Sequence, residues 1–162
     1  MPAIVGLIRE LAAFEKLSHL LEVTPESLEP HLFGERPVAE CRVAEVGGEV
    51  VAFALFFTNF STFLARPGLY LEDLYVQPAH RSTGIGKALL SHLGRLAAER
   101  GCGRFEWSVL DWNADAIAFY EGLGATVMPD WRICRISGEG LARFGQSVLM
   151  ERAVAVIQTA GR

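Results

Sequence analysis

The sequence predicts a mixed α/β domain in which helices lie on both sides of a largely antiparallel sheet. Three patterns carry that expectation. Apolar residues near the start recur at three- and four-residue steps, which is a helical period. From Val38 the pattern changes to strand-like runs around a Gly47-Gly48 pair. A strand, a glycine-bearing turn and a helix then follow one another between Leu69 and Leu90.

Taken in order, Ile4, Leu7, Ile8, Leu11, Phe14, Leu17 and Leu21 form one stripe, so residues 3–21 are expected to be an amphipathic helix. Thr24 can cap a second helix with Pro25 at its first position, ending near Gly34. Val38–Val46 and Glu49–Phe60 read as strands joined by the two-glycine turn. A loop, Ser61–Gly68, leads to a strand over Leu69–Gln77, which Pro78 closes. The helix from Ile85 to Arg100 carries Leu89, Leu90, Leu93, Leu96 and Ala97 on one face. Arg104–Leu110 reads as a strand, Ala114–Leu123 as a short helix and Trp131–Ile136 as a last strand. Gly140–Arg162 fits either a helix plus a strand or a loose tail.

The chain has 162 residues, 51% of them hydrophobic and 21% charged, which suits one globular domain spanning residues 1–162, with the stretch 146–162 left open. A net charge of −4 argues against nucleic acid as a partner. No run reaches the roughly 18 apolar residues of a membrane span. Cys41, Cys102 and Cys134 form no CxxC pair, and each sits among apolar or β-type residues. They are expected to be buried thiols of a reducing, cytoplasmic compartment. The four histidines show no ligand spacing, so no metal is expected.

The most informative stretch is Gln77-Pro78-Ala79-His80-Arg81-Ser82-Thr83-Gly84-Ile85-Gly86-Lys87. A turn feeding a helix start exposes backbone N–H groups, and the helix dipole adds partial positive charge there. Two glycines let a diphosphate approach the main chain closely. Arg81 and Lys87 could add charge. A P-loop is excluded because Ala88 follows Lys87, and the dinucleotide fingerprint because Leu89 stands where its third glycine would be.

Arg81-Ser82-Thr83-Gly84-Ile85-Gly86, preceded by Leu71-Glu72-Asp73-Leu74-Tyr75-Val76 and followed by Val109-Leu110-Asp111-Trp112-Asn113 and Phe119-Tyr120, resembles the GNAT superfamily of acyl-CoA-dependent N-acetyltransferases. Within it the chain is most similar to the diamine and thialysine acetyltransferases, over roughly residues 4 to 144. The resemblance implies a sheet splayed open near its middle, with acetyl-CoA as co-substrate and a homodimer as the assembly. It implies that the main chain of Leu74, Tyr75 and Val76 pairs with the pantetheine arm. Arg81, Ser82, Thr83, Gly84, Ile85, Gly86 and Lys87 would cradle the diphosphate, and Asn113, Ala114, Asp115 and Ala116 would also touch the coenzyme. Phe14, Glu15, Glu72, Asp73, Glu106, Trp107 and Ser108 match substrate-side positions. Three departures stand out. The family's first strand is missing, so either the start is incomplete or the sheet lacks an edge strand. Phe14-Glu15 replaces Tyr-Glu, and the loop Asn59–Phe63 lacks an acid found in polyamine-specific relatives.

An alkylammonium has a pKa near 10.4, so removing its proton at pH 7 costs about 4.6 kcal/mol. A carboxylate can hold the cation and accept that proton. Glu72 is the candidate base. Neighbouring strand positions face opposite sides, so only one of Glu72 and Asp73 is expected to face a given cleft. Tyr120 matches the family's proton donor to the departing thiolate. Acetylation of a small primary amine is the function expected. Acetylation of a protein N-terminus or lysine, and a non-catalytic acyl-CoA-binding module, are the competing readings.

Overall fold

A computed structural model describes residues 1–145. The chain divides into two compact units, Met1–Asn113 and a second that begins at Ala114. In the first, α1 (Pro2–Phe14) and α2 (Pro25–Phe33) precede a four-stranded sheet of β1 (Glu40–Val46), β2 (Glu49–Ser61), β3 (Arg66–Val76) and β4 (Arg104–Trp107). The helix α3 (Ile85–Glu99) lies between β3 and β4 in the chain. The sheet order is β1-β2-β3-β4, antiparallel except for the parallel pair β3–β4. Parallel strands need a long crossover, and α3 supplies it.

Local chemistry explains most element ends. Thr24 accepts from the Ser27 N–H while Ser27 Oγ accepts from the Thr24 N–H, a closed capping box ahead of Pro25. Gly47 and Gly48 both take left-handed φ, +61° and +86°, as the tight β1–β2 hairpin requires. α1 ends sooner than its stripe predicts. Lys16 adopts φ +62° and a 3₁₀ turn over Ser18–Leu20 follows, which leaves Leu17 and Leu20 exposed. No glycine or proline marks that break, so the apolar spacing ran on past it.

β2 is buried on both faces from Val51 to Phe56. Phe53 and Leu55 pack with Leu7, Leu11, Leu32 and Tyr75 beneath α1 and α2. Ala52, Ala54 and Phe56 point the other way and are fully buried too. That second face meets α3, whose Leu89, Leu90, Leu93 and Ala97 are buried. Arg100, capping α3, forks onto the Glu40 carboxylate on the same side, with Nη2 at 2.8 Å. The expected two-sided, helix-covered sheet is therefore the one observed. Among the described residues no strand precedes α1, and β1 is an edge strand.

β3 starts at Arg66, inside the stretch expected to be loop, and Pro67 pairs with Phe60. Gly68 belongs to packing rather than to a turn: a Cβ there would collide with the Asn59 amide oxygen and the Arg104 stem. β4 ends at Trp107, short of the expected Leu110. Its partner on β3 at that level is Leu71, and the next residue, Glu72, is an insertion that breaks the ladder.

In the second unit, α4 (Ala114–Gly122) closes with the Ala125 N–H on the Tyr120 carbonyl and the Gly124 N–H on Glu121, at φ +92° for Gly124. The strand expected over Trp131–Ile136 does not form. The Arg132 guanidinium donates to the Pro129 and Trp131 carbonyls at 3.0 and 3.1 Å, which ties this stretch to itself rather than to a ladder. The helix α5 spans Glu139–Gly145. The apolar tail Val148–Ile157, considered for dimer contacts, lies outside the described residues. Cys41 and Cys102 are half-buried and Cys134 is exposed, so the expectation of buried thiols fails at Cys134.

Candidate active site

The site begins with the insertion in β3. Leu55 pairs with Asp73 and Phe56 with Leu71, so Glu72 is a surplus residue, a β-bulge. β4 pairs with β3 only from Gly68 to Leu71, so no strand among the described residues pairs with the outer edge of β3 from Glu72 to Val76. The Gln77 N–H bonds the Val51 carbonyl of β2 at 3.0 Å. Alternation then turns the amide and carbonyl of Tyr75 and Asp73 toward β2, and those of Leu74 and Val76 outward. The Val76 carbonyl is taken by Arg81 Nε at 3.0 Å. The Leu74 N–H and C=O and the Val76 N–H line the open edge.

That edge runs into the expected anion turn. A 3₁₀ turn, Pro78–His80, is followed by Arg81 and by Ser82 at φ +61°, a left-handed angle unusual for serine. Thr83 Oγ1 donates to the His80 carbonyl at 2.6 Å. Gly84 caps α3 at φ +91° with no side-chain cap hydrogen bond. The first helical hydrogen bond is Ala88 N–H to Gly84 C=O at 2.9 Å, so the amides of Ile85, Gly86 and Lys87 stand ahead of the helical ladder. A Cβ at Gly84 would meet nothing within 4 Å, so the space beside Gly84 is open. These features fit a diphosphate.

On the α1 face, Asp73 and Glu15 come together at the end of α1. Burial, then the Glu72 charge, then Glu15, push the half-buried Asp73 carboxyl up to about 6. Burial also raises Glu15. Glu72 itself is exposed. Strict alternation fails across a bulge, so the expectation that the two acids face opposite sides does not apply, and the Glu72 charge is close enough to act on Asp73. Sequence reasoning offered Asp73 as a substrate contact and gave the base role to Glu72. That the surroundings shape Asp73 was not visible, because the signal absent from the sequence was the bulge. Burial pushes the neighbouring Cys41 thiol up to about 11, which leaves it protonated and unreactive.

The remaining expected residues divide. Phe14 lies 6.0 Å from the Trp112 ring, ring centroid to centroid. The Glu106 carboxylate is held by Arg104 at 2.7 Å and by Asn59 Nδ2 at 3.2 Å. Trp107 packs its ring 4.9 Å from Phe105, and the Ser108 hydroxyl shares a 2.8 Å hydrogen bond with Tyr70. The Asn113 N–H donates to the Leu110 carbonyl at 2.9 Å. Ala114, Asp115, Ala116 and Tyr120 belong to α4 in the second unit, where Tyr120 lies 5.4 Å from the Phe119 ring.

Residues 8–125 match the Acetyltransferase (GNAT) family. The chain is 40% identical to the thialysine N-epsilon-acetyltransferase of Mus musculus over 149 residues, which cover 85% of this chain and 87% of that protein. It is 33% identical to the L-ornithine N5-acetyltransferase of Arabidopsis thaliana, with 87% of this chain and 82% of that protein covered. Among solved structures, an integron cassette protein from the V. cholerae mobile metagenome superposes with a TM-score of 0.75 at 26% identity, covering 90% of this chain and 91% of that one. An open strand edge leading into an uncapped helix start, together with these likenesses, places the chain in the GNAT acetyltransferase family.

Proposed function

We propose that this enzyme transfers the acetyl group of acetyl-CoA to a primary amine of a small molecule, an amino acid side chain or a diamine. The observation that carries the reading is the outer edge of β3, which no described strand pairs with from Glu72 to Val76, followed by the amides of Ile85, Gly86 and Lys87 ahead of the α3 ladder. Acetyl-CoA brings the acetyl group already activated as a thioester. Leu74 and Val76 supply strand-like main-chain partners for its pantetheine arm, and the start of α3 with Lys87 receives the diphosphate. The family match runs over residues 8–125, and Asn113–Ala116 within it are further coenzyme contacts in this reading.

Asp73 and Glu15 form the acceptor side. Two carboxylates at the end of α1 attract an ammonium group, and Asp73, half-buried, accepts its proton directly or through water, with Glu72 beside it. Tyr120 returns a proton to the coenzyme sulfur. The acceptor class rests on relatives named for thialysine and ornithine. Three unpaired cysteines suit a cytosolic protein, and a homodimer is the assembly proposed. No described helix is long and apolar enough to cross a membrane. A thiol-release assay with acetyl-CoA across thialysine, ornithine, lysine, putrescine, spermidine and a peptide amine tests this. Turnover on a free amine supports it; turnover confined to the peptide overturns it.

A further inference from the structure

Arg81 opens the coenzyme turn, and spacing alone offers its charge to the diphosphate. The geometry holds that charge elsewhere. Its Nε is bound to the Val76 carbonyl, and the guanidinium carbon lies 5.0 Å from the Phe14 ring centroid and 5.5 Å from that of Tyr75. A planar cation set against two rings and pinned at one nitrogen has little freedom to swing toward the turn. Phe14 is the last residue of α1, and Glu15 follows as its cap. Beyond it, Trp112 meets Phe14, and Lys16 Nζ lies 5.9 Å from the Trp112 centroid. Rings and cations thus connect the end of α1 with the strand that carries the open edge.

A second tie runs parallel. Glu10, one α1 turn earlier, accepts from the Tyr75 hydroxyl at 3.2 Å and from Gln77 Nε2 at 2.9 Å. α1 is therefore fastened on both sides of Val76, and the strained Ser82 departs directly from the fastened Arg81.

We infer that Arg81 is a positioning residue that couples the coenzyme turn to the acceptor-side carboxylate Glu15 through the Phe14–Arg81–Tyr75 stack, rather than a ligand of the diphosphate. What the two coupled sites bind rests on the proposed acetyl transfer; the stack itself belongs to the free protein.

Two variants separate these roles. Arg81→Lys keeps the charge but loses the plane and the fork, and Arg81→Met keeps length without charge. Coenzyme Kd is measured by calorimetry, and the amine KM by thiol release at saturating acetyl-CoA. Coupling predicts that Arg81→Lys holds the Kd within about threefold and raises the amine KM about tenfold. A Kd weakened about tenfold with the amine KM unchanged makes Arg81 a phosphate ligand and overturns the inference, as does no change in either. A double-mutant cycle of Phe14→Leu with Arg81→Met, read as the thermal midpoint of the coenzyme-free protein, needs no turnover at all. Non-additive losses support the stack, and additive ones overturn it even if every amine fails as acceptor.

Discussion

Burial beneath the end of α1, with the charges of Glu72 and Glu15 near, keeps Asp73 protonated up to about pH 6. The folded value lies above the ordinary 3.8, so the contribution of Asp73 to stability is present below the ordinary value and lost as pH rises through about 6. Asp73→Asn is accordingly expected to gain on the native protein in urea titrations at pH 8 and to lose that advantage near pH 3.5. The same substitution should lower kcat/KM by about 10²-fold and abolish an inflection near pH 6 in its pH profile. An Asp73→Asn enzyme with native turnover would return the base to Glu72. Tyr120→Phe is expected to lower kcat by roughly 10²-fold while coenzyme affinity stays within error in calorimetry. The carboxylates were readable as a pair from Glu72-Asp73. Which of them the fold shelters was not, because that depends on a surplus residue visible only in the pairing of β2 with β3.

At the scale of elements, the start of α3 makes the clearest prediction. Gly84 is left-handed with open space beside it, so Gly84→Ala meets no clash and costs only backbone strain, about 1–2 kcal/mol. Its expected signature is a modest drop in urea midpoint together with weaker coenzyme binding, as the amides of Ile85–Lys87 are reoriented. The turn was legible because its residues act locally: glycines, a strand before and a helix after. Thr24-Pro25 and Gly47-Gly48 were legible for the same reason. Misreadings fell where an element depends on a distant neighbour. Pro67 and Gly68 look like loop residues, yet β2 and Arg104 draw them into β3. Trp131–Ile136 has the composition of a strand, but β-propensity expresses fit to a neighbouring surface, and Arg132 closes the segment on itself.

For the molecule as a whole, stability and ligand occupancy are linked. Acetyl-CoA at about 100 times its Kd should stabilise the native state by about 2.7 kcal/mol. For a chain of this size that corresponds to a rise in thermal midpoint of roughly 5–10 °C. A midpoint indifferent to acetyl-CoA would remove the coenzyme site and the proposed function with it. Light scattering on the full chain checks the homodimer, with twice the monomer mass as the expected result. The layered plan was foreseeable because β2 is apolar from Val50 to Phe57, as a strand segment covered on both faces must be.

The extra residue at Glu72 has a further effect on β3. Up to Leu71, odd-numbered side chains lie on the face of Phe56; beyond the insertion, Asp73 and Tyr75 lie on the face of Leu55. One strand thereby changes parity halfway along, supplying Leu69 and Leu71 to one face and Asp73 to the opposite one. Excising that single amino acid would restore an unbroken ladder in which Leu71 and Asp73 become neighbours and, by plain alternation, keep the opposite sides they hold now. What would be lost is the local kink, and with it the Glu72 charge beside the acid.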